Sequence, residues 1–367
     1  MSRIEAVSLH RLEVPLRVPY KLAFGIVRHF DTLIAEVRDS DGFIGLGEAT
    51  VLTGYTEETV EGSWTLMQQL AAGLPGMRGD DAIEALLEHV DNAPFTVTAL
   101  ATAIEMLGNS ELMTVGKPAS APLLGIVNAE SGQALAKEAD SLFAQGFDTF
   151  KVKVGFDVEK DLAKLGEVQR IVAGRAAIRV DGNQGYSRDE ALRFVSRMSP
   201  EAIELLEQPC AAGDWESAVA VARIAPVPMM LDESIYGIAD IERAAELKAA
   251  RFIKLKLMKM GTMQRLASGL ALIRSLGMEP VLGNGVACEV GCWMEGLAAR
   301  AGITNAGEMN GFLKPVAPLL ASPLKFSDGA IVLEPGFRPK LDESAVRRFS
   351  VGGAEFAGQG QLQKRPQ

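Results

Sequence analysis

Hydrophobic and polar positions alternate with a period of two over residues 3–14 and again over 31–49, which predicts half-buried strands. Ser40-Asp41-Gly42 supplies a hairpin turn within the second stretch. From about residue 57 the apolar positions fall at helical spacing, and helices are predicted near 57–72, 80–91 and 95–113. Strands followed by helices describe an α+β domain over residues 1–118. Gly42, Gly45 and Gly47 lie within the strand pair and no strand–turn–helix follows them, so they do not make a dinucleotide-binding fingerprint.

Past residue 120 the pattern becomes an alternation of short apolar runs and longer helical stretches. Strands are predicted at 123–127, 149–154, 176–181, 202–207, 227–232, 251–256, 279–284 and 303–308, with helices between them such as 130–144, 158–173 and 262–276. Eight strand–helix units over 119–325 predict a TIM-like parallel (β/α) barrel of seven or eight strands, with an open doubly wound sheet as the alternative. Residues 326–367 alternate again at 330–334 and are expected to return to the N-terminal domain, with a loose polar tail after Gly353.

Composition narrows the function. A chain of 367 residues with 48% hydrophobic and 23% charged residues is expected to fold into two or three domains. The net charge of −10 and the lack of any Lys/Arg run argue against nucleic acid and anionic membranes as partners. No apolar stretch reaches the ~18 residues of a membrane span, and the N-terminus has no signal-peptide core, so a cytoplasmic location is expected. Three cysteines fit a reducing compartment. Cys288 and Cys292 lack a partner pair and are read as helix-face packing residues rather than half of a metal site. The only histidines are His10, His29 and His89. Chemistry in the last three quarters of the chain must therefore proceed without imidazole, which removes a Ser-His-Asp triad, a His-rich zinc site and a His-Asp proton-transfer pair.

The charged residues at the predicted strand ends are Lys151 and Lys153, Asp181, Glu207, Asp232 and Lys256, and from Lys153 onward they recur at intervals of 28, 26, 25 and 24 residues. The C-terminal ends of barrel strands form the active-site face. Taken singly, a Lys-x-Lys is an ordinary edge-strand device and a strand-end Asp an ordinary helix cap. Six such residues in register on five consecutive strands define a site. Three carboxylates without Cys or His form a hard oxygen cage suited to Mg²⁺ or Mn²⁺. Lys153 and Lys256 would flank it from opposite sides. A lysine becomes a general base when neighbouring cations lower its pKa, and Lys151 is one such neighbour. A carboxylate substrate held by the cation would lose its α-proton to one lysine, and the second would reprotonate the other face or assist a leaving group.

These residues resemble the enolase superfamily, specifically its muconate-lactonizing (muconate cycloisomerase) subgroup. The matching motifs are Lys151-Val152-Lys153, Asp181-Gly182-Asn183, Glu207-Gln208-Pro209, Asp232-Glu233-Ser234 and Lys256-Leu257-Met258-Lys259, and the resemblance covers essentially the whole chain. It implies metal ligation by Asp181, Glu207 and Asp232, with Lys153 and Lys256 as the acid/base pair; a Lys or His base with Mg²⁺ is the general pattern of such sites. The lack of late histidines sets the chain apart from the mandelate-racemase-like subgroup. The resemblance further implies a capping domain that closes on the barrel with loops at 18–27 and 51–59, from which Tyr20, Phe24 and Tyr55 would touch substrate, and a homo-oligomeric assembly.

Several positions bear on substrate. Lys254 stands where many relatives carry Asn, and alternation points it inward with Lys256. Asn183 and Asn284 are further candidate contacts. Glu308 and Asn310 look like an altered form of the Asp-x-Asp with which dipeptide epimerases hold a substrate ammonium, so an amino or imino acid is expected. Racemisation or epimerisation of an amino-acid derivative ranks first, dehydration of a hydroxylated amino or imino acid such as a hydroxyproline second, and muconate-type cycloisomerisation third. Two other classes remain as alternatives: a Schiff-base aldolase using Lys153, Lys254 or Lys256, and a metal-dependent binding protein without turnover.

Overall fold

Alternation in the first fifty residues becomes three antiparallel strands, β1 (Ile4–Leu22), β2 (Gly25–Asp39) and β3 (Ile44–Thr50). The structure, a computed structural model, describes residues 1–22, 25–53, 55–108 and 110–358. The turn between β2 and β3 forms as expected: Gly42 takes a φ of 84°, and Asp39 Oδ1 accepts from the backbone N–H of Asp41 and Phe43 at 3.0 and 2.9 Å. Three helices follow, α1 (Val60–Ala72), α2 (Gly79–Leu87) and α3 (Pro94–Leu107).

The remaining chain runs β4 (Ala119–Pro122), β5 (Gly125–Val127), α4 (Gly132–Ala144), β6 (Thr149–Lys153), α5 (Val158–Val172), β7 (Ala177–Asp181), α6 (Arg188–Arg197), β8 (Ile203–Glu207), α7 (Trp215–Ile224), β9 (Met229–Leu231), α8 (Ile238–Leu247), β10 (Phe252–Leu255), α9 (Leu257–Met260), α10 (Met263–Ser275), β11 (Glu279–Leu282) and α11 (Glu289–Gly302). It finishes with β12 (Lys325–Ser327), β13 (Ala330–Leu333), α12 (Glu343–Phe349) and β14 (Ser350–Ala357). Strands β5 to β11 form one seven-stranded parallel sheet in sequence order, which makes the barrel.

The eighth predicted strand, 303–308, forms no strand. It contributes one parallel bridge, Leu123 to Gly307, with Gly307 N donating to Pro122 O at 2.8 Å and Leu124 N to Gly307 O at 2.9 Å. On its other side Glu308 N donates to Leu282 O at 2.9 Å, so the segment spans the gap between β11 and β5. Extending the ladder backward would need an N–H from Pro122, which has none. Forward, Leu124 O is taken by the Asn310 side chain at 3.1 Å.

Two C-terminal expectations are revised. The 330–334 run does not join the N-terminal sheet; β13 pairs with β12 and β4, placing Ile331 and Leu333 against Gly296 of α11. The return is made by β14, which adds to the edge of β1 and gives a four-stranded sheet in the order β14-β1-β2-β3. The tail is thus a strand as far as Ala357, because the β1 edge offers unpaired backbone groups.

Helix α3 joins the cap to the barrel. It is buried on every side from Pro94 to Met106, and its buried face is mostly apolar, with Thr96, Thr98, Thr102 and Glu105 as the polar members. On one side β3 approaches so closely that a Cβ on Gly45 or Gly47 would lie 2.0 Å from the carbonyl oxygen of Ala103 or Ala99. On the other, Glu105 accepts from Met263 N and Gln264 N at 2.7 and 2.8 Å, capping α10. Glu48 of β3 does the same for α11, accepting from Cys288, Val290 and Gly291 N–H at 2.5, 2.9 and 3.1 Å. Glu48→Ala leaves three buried donors without an acceptor and is expected to cost about 2–4 kcal/mol. Urea unfolding measures it, and a loss below about 0.5 kcal/mol, the size of an ordinary surface substitution, would show that the carboxylate is not the cap.

Candidate active site

Strand register sets the site. Lys153 at the end of β6 pairs with Asp181 at the end of β7, and Asp181 pairs with Glu207 at the end of β8. Asp232 follows β9, Lys254 lies in β10 and Lys256 directly follows it. A cavity of about 100 Å³ at this face is lined by Lys151, Lys153, Asp181, Asn183, Asp232, Lys254, Lys256, Asn284, Glu308 and Tyr55, among others. The sequence-predicted residues are therefore brought together, with four exceptions. Glu207 is 1% exposed and lies beneath the cavity wall. Asn310 is buried behind the site and spends its amide on Leu124 O, with Lys314 Nζ donating to its Oδ1 at 3.3 Å; this corrects its expected contact with substrate. The side chain of Tyr20 and the whole of Phe24 lie outside the described residues, and the expected 18–27 loop is largely strand, since β1 extends to Leu22 and β2 begins at Gly25.

Buried ions form the floor. Lys151 Nζ lies 3.0 Å from Asp181 Oδ2, 2.9 Å from Glu207 Oε2 and 3.0 Å from Glu308 Oε2. Lys254 Nζ lies 3.0 Å from Glu207 Oε1 and 3.4 Å from Asp232 Oδ2, and it also pairs closely with Glu308. Burial opposes the Glu308 charge, but Lys151 and Lys254 overcome it and hold its pKa well below the usual carboxylate range. The ammonium that Glu308 was expected to receive from substrate thus comes from within the protein. Asn284 closes its own turn, accepting from Val286 N at 2.9 Å and donating to Val286 O at 3.0 Å.

The two flanking lysines differ. Burial depresses the pKa of Lys153, with the Lys151 charge acting in the same direction against the nearby carboxylates. Burial also opposes the charge on Lys256, but Asp232 Oδ1 at 2.9 Å, together with Glu233, raises it above the ordinary lysine value. Tyr55 reaches in from the 51–59 segment. Its hydroxyl donates to Asp232 Oδ1 at 3.3 Å and touches Lys256 Nζ, its ring lies 4.5 Å from that ammonium, and its carbonyl accepts from Tyr236 OH at 2.9 Å.

Lys259 and Glu233, which stand inside quoted motifs, and Tyr236, which stands outside them, were not singled out from sequence. Lys259 is buried, donates to the carbonyls of Asp232 and Ile235 at 2.9 and 2.7 Å, and is pushed down to about 8 by burial. Glu233 accepts from Asn183 Nδ2 at 2.5 Å, is pushed up to about 8 by burial and by Asp232, and has Oε2 buried without a hydrogen-bond partner. Both had a signal, since each adjoins a motif residue. Tyr236 had none.

The donor set suits a hard divalent cation: three carboxylates from successive strand ends, no sulfur or imidazole, and the unpartnered oxygen of Glu233 beside them. A separate trio on the capping sheet, Glu13, His29 and Asp31, brings ligand atoms within 4.8 Å of one another, but it shares no residue with the cavity. The three cysteines are buried and free; Cys288 and Cys292 sit at the start of α11, where burial pushes both thiols well above their ordinary value.

A parallel barrel with lysines flanking carboxylates at its strand ends defines a class of enzyme, and the comparisons agree. The family described as Enolase C-terminal domain-like matches residues 134–344. The chain belongs to this family, and so to the enolase superfamily of enzymes. L-Lys-D/L-Arg epimerase of Methylococcus capsulatus is 33% identical over 277 residues, covering 71% of this chain and 76% of the relative. Muconate cycloisomerase 1 of Rhodococcus opacus is 27% identical over 380 residues, covering 95% of this chain and all of the relative. Among solved structures, a dipeptide epimerase from Cytophaga hutchinsonii complexed with Mg and D-Ala-L-Val matches with a TM-score of 0.87 at 20% identity, over 96% of this chain and all of that one. At that identity the likeness is one of fold. No helix among the described residues is long and apolar enough to cross a membrane.

Proposed function

We propose that this protein is a racemase or epimerase of an amino-acid derivative, transferring the proton α to a carboxylate with the help of Mg²⁺ or Mn²⁺. The observation that carries the reading is the placement of Lys153 and Lys256 in one cavity, on strand ends either side of those bearing Asp181, Glu207 and Asp232. Asp181, Glu207 and Asp232 would hold the cation. When bound, it supplies positive charge against the second negative charge that the substrate carboxylate gains as its α-proton leaves.

The protein's own groups account for the rest. Lys153, whose affinity for its proton burial and Lys151 reduce, takes the α-proton on one face. Lys256, which Asp232 keeps protonated, delivers a proton to the other. In the reverse direction the roles exchange. Tyr55 covers Lys256 and limits the access of water to it. Because Glu308 is already paired with two lysines, it does not offer a free carboxylate to a substrate nitrogen.

Proton NMR in D₂O with Mg²⁺ and a panel of amino acids, N-acyl amino acids, dipeptides and hydroxyprolines tests this. Loss of the α-proton signal with the carbon skeleton intact is the expected result. New signals with loss of the hydroxyl-bearing carbon would replace the reading with a dehydratase.

A further inference from the structure

The carboxylate cage is already filled with positive charge. Each of the six oxygens of Asp181, Glu207 and Asp232 lies within 3.4 Å of a lysine ammonium or a backbone N–H of the protein, although Glu207 Oε2 meets Lys151 as an ion pair without hydrogen-bond geometry. Asp181 uses Lys151 at 3.0 Å and Asn183 N at 2.9 Å. Glu207 uses Lys151 at 2.9 Å and Lys254 at 3.0 Å. Asp232 uses Lys256 at 2.9 Å and Lys254 at 3.4 Å. Glu207 does not line the cavity, whereas Lys151 and Lys254, each within 3.0 Å of one of its oxygens, do.

We infer that Lys254 is a built-in counter-cation that competes with the divalent ion for Glu207 and so sets how tightly that ion binds. The inference rests on the divalent-cation reading above. Lys151 alone spans Asp181, Glu207 and Glu308, whereas Lys254 links the other oxygen of Glu207 to Asp232 and Glu308. Its ammonium therefore bridges two of the three candidate ligands. A divalent ion reaches Glu207 only when this ammonium withdraws, and Glu308, which is not a candidate ligand, is the acid onto which it withdraws. Glu308 thus works as a parking place for the displaced charge. Like charges a few ångströms apart in a buried site repel strongly, so removing one of them has a large effect.

This gives a sign pattern that a purely structural ion pair does not. Lys254→Met keeps the length of the side chain and removes its charge; Mn²⁺ affinity of the substrate-free protein, followed by electron paramagnetic resonance, is expected to rise at least tenfold. Glu308→Gln removes the parking place and directs Lys254 and Lys151 onto Glu207; affinity is expected to fall about tenfold. The double variant Lys254→Met/Glu308→Gln restores the charge count and is expected to return to within about threefold of the parent. Circular dichroism melts establish that each variant folds, and should Lys254→Met fail to, Glu308→Gln and the double variant still read the sign. Equal Mn²⁺ affinity in parent and variants overturns the role of Lys254 and leaves the metal reading standing. An absence of Mn²⁺ binding in every protein overturns the metal reading, and the inference with it.

Discussion

Lys153→Ala is expected to lower interconversion of the two stereoisomers by at least about a thousandfold, while solvent exchange of the α-proton continues for one of them. General acid–base groups contribute on the order of 10²–10⁴ to rate, and a transfer between two faces needs a group on each. With Lys153 gone, Lys256 still reaches one face, so one isomer exchanges its proton with D₂O and returns to itself. Lys256→Ala is expected to give the mirror result. Chiral chromatography and NMR on the same samples read both quantities, and retained interconversion in either variant would remove that lysine from the mechanism. The pH dependence follows from the environments. Because Lys153 binds its proton less tightly than the ordinary value of 10.5, activity in the direction that starts from it should rise with pH at a value below 10.5. The direction that starts from Lys256, whose proton Asp232 holds more tightly, should need higher pH.

Asp232→Ala is expected to abolish activity, remove Mn²⁺ binding and weaken the fold together. Asp232 is the partner of Lys256 at 2.9 Å, Lys254 at 3.4 Å and Lys259 at 3.5 Å, and it accepts from Tyr55 at 3.3 Å. Burial opposes its charge, yet these lysines hold its pKa well below the usual carboxylate range. A group with a depressed pKa adds stability that is present above the unfolded value and is lost as pH falls through the folded one. Truncation leaves buried ammonium groups short of a counter-charge, at a cost of about 3–5 kcal/mol. Asp232→Asn, which keeps the shape, separates loss of charge from loss of packing. An unchanged rate in Asp232→Ala would show that the cation and Lys256 do not depend on this carboxylate.

The barrel and the ionic core of the site were legible because both obey short repeats. Strand runs recur with a charged residue at each end, and a parallel barrel turns that linear recurrence into one cluster. The eighth predicted strand forms only a bridge: 303–308 has a strand-like pattern, while the obstacle to pairing, Pro122, lies on the partner segment and is invisible from the run itself. The fate of β13 and β14 depended on which sheet edge was open, which local pattern does not encode. The role expected of Glu308 changed for a similar reason. Its charge and position were readable, but its partners Lys151 and Lys254 are 157 and 54 residues away in sequence. Buried carboxylates such as Glu48 and Glu105 read as strand and helix residues; only the assembled fold shows that they cap helices elsewhere.

Those two carboxylates have a consequence for how such a protein can change over time. Glu48 on β3 and Glu105 on α3 fasten helices α11 and α10 to the cap, whereas the 51–59 segment reaches the barrel through the Tyr55 side chain and through the Tyr55 carbonyl, which accepts from Tyr236. The 51–59 segment is thus tied to the lysine pair itself, since the Tyr55 hydroxyl lies on Lys256 and Asp232. An exchange at Tyr55 therefore alters the surroundings of Lys256 and Asp232 together with the wall of the cavity, while the two helix caps stay as they are.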